Sequence, residues 1–122
     1  MGKRIMIVDD SASLRQVVAI ALKGAGYDVV EASDGKDALG KLNGDKLHLI
    51  ISDVNMPNMD GITMVKEIKK LPNYKFTPIM MLTTESEESK KMAGKAAGAK
   101  AWLTKPFQPP TLLGAVSKLI LP

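Results

Sequence analysis

The chain alternates five short apolar runs with five stretches in which apolar residues recur at helical spacing. The apolar runs cover residues 4–8, 27–32, 47–52, 78–82 and 101–103. The helical stretches follow them at about 14–24, 35–44, 62–71, 85–98 and 110–120. Glycine, asparagine and proline mark most of the boundaries. The pattern predicts five strands and five helices in strict alternation.

Strands that alternate with helices are expected to form a parallel sheet with helices on both faces. The apolar runs are rich in Ile, Val, Leu and Met and show no apolar-polar alternation, which is typical of strands buried on both sides. A chain of 122 residues with 45% hydrophobic content has enough apolar material for one core. We therefore predict a single doubly wound α/β domain over residues 1–122, with no output domain.

Composition excludes several classes of function. The chain has no cysteine and one histidine, His48, so disulfides, thiol catalysis and cysteine or histidine metal clusters are not expected. The net charge of +4 comes with only 4% aromatic residues and scattered lysines, so a nucleic-acid partner is not expected. The apolar runs are shorter than the roughly 20 residues of a membrane helix, and the first one begins directly after the amino terminus. We expect a cytoplasmic protein that does not bind membranes.

Polar residues stand at the ends of four of the five apolar runs. Asp9 and Asp10 follow the first run, Asp53 the third, Thr83 the fourth and Lys105 the fifth. Ligands of open parallel sheets bind beyond the carboxyl ends of the strands, so these side chains are expected to converge. Three clustered carboxylates repel one another and require a positive partner. With oxygen ligands only, Mg²⁺ is the expected ion, and Asp53 becomes a plausible nucleophile toward phosphorus.

Each residue also has a simpler explanation. Asp10, Ser11 or Ser13 could cap the first helix, and Thr83 could cap the fourth. Asp53 could be an ordinary loop residue, and Lys105 an ordinary surface lysine. Their joint occurrence at one predicted sheet edge favours a functional site.

Four stretches of the chain resemble the response-regulator receiver family and, within it, the free-standing chemotaxis regulators. They are Ile7-Val8-Asp9-Asp10-Ser11, residues 52–61 (SDVNMPNMDG), Leu82-Thr83-Thr84-Glu85 and Thr104-Lys105-Pro106-Phe107. Together they are spread over nearly the whole chain and are highly specific. The resemblance implies a flavodoxin-like (βα)5 fold with strand order 2-1-3-4-5.

By this resemblance Asp53 is the phosphoacceptor. Mg²⁺ is held by Asp10, Asp53 and the backbone carbonyl of Asn55, and Asp9 contributes through water. Lys105 pairs with the phosphoryl group. The protein is then a phosphoacceptor switch rather than an enzyme, because it catalyses only its own phosphorylation and dephosphorylation.

The resemblance also implies how the switch operates. Thr83 moves toward the phosphoryl group and the aromatic residue of the fifth strand turns inward; here that residue is Trp102, where the family more often has tyrosine or phenylalanine. The Lys105-Pro106 bond is expected to be cis. Asn55 and Glu85 occupy positions that influence autodephosphorylation and contact phosphatases.

The expected partners are a sensor histidine kinase, a downstream protein such as a flagellar motor switch component, and an auxiliary phosphatase. The downstream protein is expected to bind a monomer on the face formed by the fourth helix, fifth strand and fifth helix. One alternative is the isolated receiver domain of a DNA-binding transcriptional regulator. Another is a small aspartyl-phosphate phosphatase of the haloacid-dehalogenase type, but such enzymes usually need an aspartate two residues beyond the nucleophile, where this chain has Asn55.

Overall fold

A computed structural model describes residues 3–54, 56, 58–83 and 90–120 of the chain. In these residues five parallel strands form one sheet of order β2-β1-β3-β4-β5. The elements in chain order are β1 (Arg4–Val8), α1 (Ala12–Gly24), β2 (Asp28–Ala32), α2 (Gly35–Lys41), β3 (Leu49–Asp53), α3 (Gly61–Lys69), β4 (Ile79–Thr83), α4 (Lys90–Ala97), β5 (Ala101–Thr104) and α5 (Pro109–Leu119). The predicted fold class and strand order are confirmed.

The sheet buries a separate core on each face, because successive side chains of a strand point to opposite sides. On one face Ile7 and Ile51 pack with Val18 of α1 and Val116 of α5. On the other face a second cluster packs with α2 and α3, and its main members are Met6, Val8, Ile50, Met64, Ile68 and Met81. The central strands β3 and β4 are buried over their whole length, which explains their unbroken apolar sequence.

Several predicted boundaries were wrong by one to three residues. The second helix ends at Lys41 rather than at residues 43–44, because Leu42 takes an extended backbone and Gly44 has a positive φ of 96°. The third strand begins at Leu49 rather than at residue 47 and includes Asp53, and the third helix is Gly61–Lys69 rather than 62–71. The predicted start of the fourth helix near residue 85 lies outside the described residues.

Side chains cap α1 and α3, the two helices that follow the strands leading into the acidic residues. Ser11 Oγ accepts a hydrogen bond from the backbone N–H of Leu14 at the start of α1. Asp60 Oδ1 accepts one from the N–H of Thr63 at the start of α3, at 2.7 Å. These caps fix where each helix leaves the loop that carries the acidic residues. None of the helices in the described part of the chain is long and apolar enough to span a bilayer.

Candidate metal and phosphoacceptor site

Three aspartates meet at the carboxyl ends of the neighbouring strands β1 and β3. The parallel register pairs Val8 with Ser52, so Asp9 and Asp53 are adjacent where the strands end. One carboxylate oxygen from each of Asp9, Asp10 and Asp53 lies within 4.8 Å of the others. Asp9 and Asp53 are buried and Asp10 is exposed. The predicted convergence of the three acids is confirmed as geometry.

Lys105 reaches this cluster from the far side of β4. Its ammonium lies 3.1 Å from Asp53 Oδ1 and 3.7 Å from Asp9 Oδ2. The loop that carries it is held by a hydrogen bond from its backbone N–H to the carbonyl of Thr83, and the Lys105-Pro106 peptide bond is cis as expected. Lys105 is therefore placed between two of the carboxylates.

The surroundings of Asp9 raise the pKa of its carboxyl. Its side chain is 1% exposed, and burial raises its pKa above the ordinary value, although the hydrogen bond from the Ser11 N–H acts in the opposite direction. The negative charge of Asp53 raises the pKa further, and the ammonium of Lys105 lowers it. Among the residues that the structure describes, the three carboxylates face the one ammonium of Lys105, so negative charge is in excess when all are ionised.

The residues of the cluster fit a hard divalent cation. Three carboxylates facing one ammonium leave two net negative charges when all are ionised. Asp9 Oδ2 is buried and accepts no hydrogen bond from the described residues. The cluster consists of carboxylates alone, without cysteine sulfur or histidine nitrogen. Carboxylate oxygens that can still accept are the ligands that Mg²⁺ prefers.

Thr83 and Trp102 lie on the opposite face of the sheet from Ile7 and Ile51. Thr83 is the last residue of β4, is fully buried, and its Oγ1 makes no hydrogen bond within the described residues. Trp102 is paired with Met81 in the β4-β5 register and is partly buried against the core on the α3 side. The hydroxyl is therefore available to a new acceptor, and the indole lies one strand away.

Two of the predicted site residues cannot be placed. Asn55 and Glu85 lie outside the described residues. The simpler explanation for Asp10, that it caps α1, is wrong because Ser11 occupies the capping position. Asp53 is the end of a buried strand rather than an ordinary loop residue.

Two residues near the site were not identified from the sequence. The first is Gly61, whose N–H donates to the carbonyl of Val54 and where an added Cβ would overlap the backbone oxygen of Asp53. The second is Arg15, whose guanidinium donates to the backbone carbonyl of Asp9. Gly61 ends a stretch that carries the family resemblance, but no local pattern predicts its contact with Asp53 or the contact of Arg15 with Asp9.

Comparison with known proteins gives consistent matches. Residues 5–117 match the family described as the response regulator receiver domain. The chain is 41% identical over 109 residues to the alkaline phosphatase synthesis transcriptional regulatory protein PhoP of Bacillus subtilis, covering 89% of the chain and 45% of PhoP. It is 37% identical over 115 residues to protein PilG of Pseudomonas aeruginosa, covering 94% of the chain and 85% of PilG. The chain thus spans less than half of the first relative and most of the second.

Solved structures agree with the sequence matches. Chemotaxis protein CheY4 of Vibrio cholerae superposes with a TM-score of 0.92 at 49% identity, covering 99% of this chain and 100% of CheY4. The receiver domain of sensor histidine kinase PA1611 from P. aeruginosa, solved with a magnesium ion coordinated in its active site cleft, gives a TM-score of 0.90 at 27% identity, with 98% of each chain covered. The chain belongs to the response regulator receiver domain family, the signalling switches of two-component systems.

Proposed function

We propose that the chain is a magnesium-dependent phosphoacceptor, modified on Asp53 by a sensor histidine kinase. The observation that carries this proposal is the ammonium of Lys105, 3.1 Å from Asp53 Oδ1 inside a cluster of three carboxylates. A carboxylate next to a fixed cation can approach the phosphoryl group, whose oxygens are themselves negative. An isolated surface aspartate has no such support.

The family resemblance assigns the roles of the site residues, and the clustering of the three acids supports them. An oxygen of Asp53 forms a bond to phosphorus while the bond from phosphorus to the kinase imidazole breaks, and the leaving imidazole takes up a proton. Asp10, Asp53 and the backbone carbonyl of Asn55 would hold Mg²⁺, and Asp9 would contribute through water. The bound ion supplies positive charge to the phosphoryl oxygens. Lys105, next to Asp53 and Asp9, supplies the second positive charge.

Phosphorylation is read out through Thr83 and Trp102. Thr83 Oγ1 is fully buried and makes no hydrogen bond among the described residues, so it gains a partner by donating to a phosphoryl oxygen. Its movement leaves space on the sheet face that it shares with Trp102, and the indole turns inward. These two changes alter the surface formed by α4, β5 and α5, where a downstream partner binds.

We place this switch in chemotaxis, with a flagellar motor switch component as the downstream partner. The similarity to CheY4 and PilG supports this assignment. The acyl phosphate is open to attack by water, so the protein catalyses its own dephosphorylation. The side chains of Asn55 and Glu85 set that rate and contact an auxiliary phosphatase.

The central test is phosphorylation with acetyl phosphate and Mg²⁺, followed by the intact mass and by Trp102 fluorescence. The wild type should gain one phosphoryl group, and Asp53→Asn should gain none. Asp28→Asn is the matched control, because it removes an exposed carboxylate of β2 away from the cluster. Phosphorylation of Asp53→Asn at the wild-type level would overturn the assignment of the acceptor. Rapid turnover of many phosphate esters would instead favour an enzyme.

We also propose that the protein acts as a free-standing, monomeric receiver in the cytoplasm. The coverage of the whole of CheY4 supports a free-standing receiver. The similarity to PhoP favours one alternative, the receiver domain of a longer transcriptional regulator, because the chain covers 45% of that protein. The mass of the protein expressed from its native locus separates the two, since a transcriptional regulator would be about twice the mass.

A further inference from the structure

Arg15 contacts the backbone of the acidic loop rather than any of its carboxylates. It lies in the first turns of α1, and its side chain is 18% exposed. One terminal nitrogen, Nη1, donates to the backbone carbonyl of Asp9 at 2.6 Å. Its Nε donates to Glu31 Oε1 on β2 at 3.3 Å. Arg15 therefore connects β2 to the point where the chain leaves β1.

The contacted carbonyl belongs to the peptide unit that joins Asp9 to Asp10. Because a peptide unit is planar, fixing its oxygen also fixes the direction in which the Asp10 residue leaves it. The preceding peptide is held as well, since the Asp9 N–H donates to the carbonyl of Ala32 at 3.1 Å. On the other side, Asp9 Oδ1 accepts from the Ser11 N–H at 2.8 Å. Arg15 thus supplies the one side-chain contact to the peptide unit between the two acids within the described residues.

Asp10 depends on this support because it is exposed, whereas Asp9 is held by burial. Burial and the hydrogen bond from the Ser11 N–H together restrict the Asp9 carboxylate. Asp10 has no such packing, so its position in the cluster is set by the backbone that precedes it.

From these contacts we infer that Arg15 is a positioning residue for the metal site, holding the Asp9-Asp10 peptide so that the Asp10 carboxylate faces Asp53. The inference rests on the proposed magnesium site. Contacts that orient metal ligands commonly contribute about 10–100-fold to metal affinity. At the lower end of that range, we expect Arg15→Met to bind Mg²⁺ about tenfold more weakly than the wild type.

Simple electrostatics predicts the opposite sign. Arg15 carries a positive charge near a cation site, and its removal should make Mg²⁺ bind more tightly if the charge acts only through space. A loss of affinity in Arg15→Met is therefore the signature of positioning. The pairing with Glu31 provides a second comparison: Glu31→Gln removes a negative charge but leaves the Arg15 hydrogen bond to Asp9 in place, so we expect less than a threefold change.

The experiment is calorimetric titration of Mg²⁺ alone into the wild type, Arg15→Met, Arg15→Lys, Glu31→Gln and Asp10→Asn at moderate ionic strength. Arg15→Lys keeps the charge and one donor and should recover part of the lost affinity. Circular dichroism thermal melts of each variant, with and without Mg²⁺, show that it is folded at the titration temperature and report metal binding independently. If Arg15→Met does not fold, Arg15→Gln, which keeps a donor of shorter reach, takes its place with the same expectation.

The outcomes separate the two proposals. If the wild type and Asp10→Asn both fail to bind Mg²⁺, the metal site itself is wrong, and the role of Arg15 fails with it. If the wild type binds Mg²⁺ and Arg15→Met binds it equally or more tightly, only the positioning role is overturned. If Glu31→Gln loses as much affinity as Arg15→Met, the effect belongs to the ion pair, and the inference is likewise overturned.

Discussion

At the amino-terminal end of the sheet, buried polar side chains are hydrogen-bonded to backbone, whereas at the carboxyl-terminal end two buried polar atoms are not. Tyr74, 3% exposed, accepts from the Gly44 N–H through its hydroxyl and donates to the carbonyl of Asp45. At the other end, Asp9 Oδ2 and Thr83 Oγ1 accept or donate no hydrogen bond within the described residues. The first end stabilises the fold, and the second retains capacity for a ligand.

Lys69 and Lys105 show the same contrast between two lysines. The ammonium of Lys69 donates to the carbonyls of Lys75 and Thr77, so it connects the end of α3 to the segment before β4. Burial lowers the pKa of Lys69, with a smaller contribution from the charge of Lys100. The ammonium of Lys105 lies instead between two carboxylates. One lysine closes a loop, and the other pairs with the acidic cluster.

The largest effect is expected at Gly61, which lies close against the backbone of Asp53 at the carboxyl-terminal end of the sheet. In Gly61→Ala the new Cβ would overlap the carbonyl oxygen of Asp53 and come within 2.7 Å of Met81 Cε. Overpacking of this kind costs about 3 kcal/mol of unfolding free energy, and the shift of Asp53 should also weaken phosphorylation. Urea unfolding and acetyl phosphate labelling measure the two effects.

Gly114→Ala is the matched control for Gly61. Gly114 lies inside α5, and an added Cβ would meet nothing within 4 Å. Alanine should therefore stabilise the protein by about 0.5–1 kcal/mol, through higher helix propensity. Equal stability of the two alanine variants would show that the contact at Asp53 is not tight.

Gly61 also shows why the sequence could predict part of this site and not the rest. The acids could be assigned to one edge because every strand of a parallel sheet ends there. The strand order came from family resemblance, since alternation alone does not decide which strands are neighbours. The close approach of Gly61 to Asp53 depends on how α3 packs against β3, and that packing leaves no local pattern in the sequence.

The errors in the predicted helix and strand boundaries also come from contacts between residues that are distant in the chain. The loop after α2 is shaped by the hydroxyl of Tyr74, which is 30 residues away from Gly44 in the chain. Arg15 is similar, because its contact with Asp9 exists only after the loop between β1 and α1 has folded. Local periodicity predicts elements, whereas hydrogen bonds between distant residues decide where they end.

The second prediction concerns the amino-terminal end of the sheet, where Tyr74 is hydrogen-bonded to backbone. Tyr74→Phe removes one hydroxyl and leaves the partly buried N–H of Gly44 and carbonyl of Asp45 without that partner. Such losses cost about 1–3 kcal/mol each at buried sites, and we expect a total near 2 kcal/mol because water reaches this loop. Phosphorylation by acetyl phosphate should be unchanged below the unfolding transition. A change in Mg²⁺ affinity would break the separation between the two ends.

The third prediction concerns the carboxyl-terminal end of the sheet, where a substitution should raise the free energy of unfolding. Asp9→Asn removes a buried charge from beside Asp53, keeps an acceptor for the Ser11 N–H and places an amide donor in the cluster. Repulsion between unit charges at this range is about 4 kcal/mol at an intermediate dielectric, and the lost attraction to Lys105 offsets most of it. We expect stability in EDTA to rise by about 1 kcal/mol. Stabilisation by Mg²⁺ should shrink, and urea unfolding with and without Mg²⁺ tests both. A variant less stable than the wild type in EDTA would contradict the idea that this end sacrifices stability for binding.

The smallest expected effect is a pH dependence of stability at the amino-terminal end of the sheet. There His48 Nδ1 accepts a hydrogen bond from the Arg4 N–H at 3.0 Å. Burial lowers the pKa of His48 below its ordinary value of 6.5, and the positive charges of Lys3 and Lys46 lower it further. The folded protein therefore binds this proton less readily than the unfolded chain. The contribution of His48 to stability is complete above the unfolded pKa and declines as pH falls toward the folded pKa.

His48→Asn keeps an acceptor that does not titrate. The difference in urea midpoint between the variant and the wild type should therefore move in favour of the variant from about pH 7.5 to pH 5.5. Asp9 has its raised pKa at the other end of the sheet. Its contribution changes in the opposite direction, because protonation removes the cost of burying its charge and also relieves repulsion by Asp53 in the folded state. A constant difference between His48→Asn and the wild type over this range would show that the imidazole stays solvated in the folded protein.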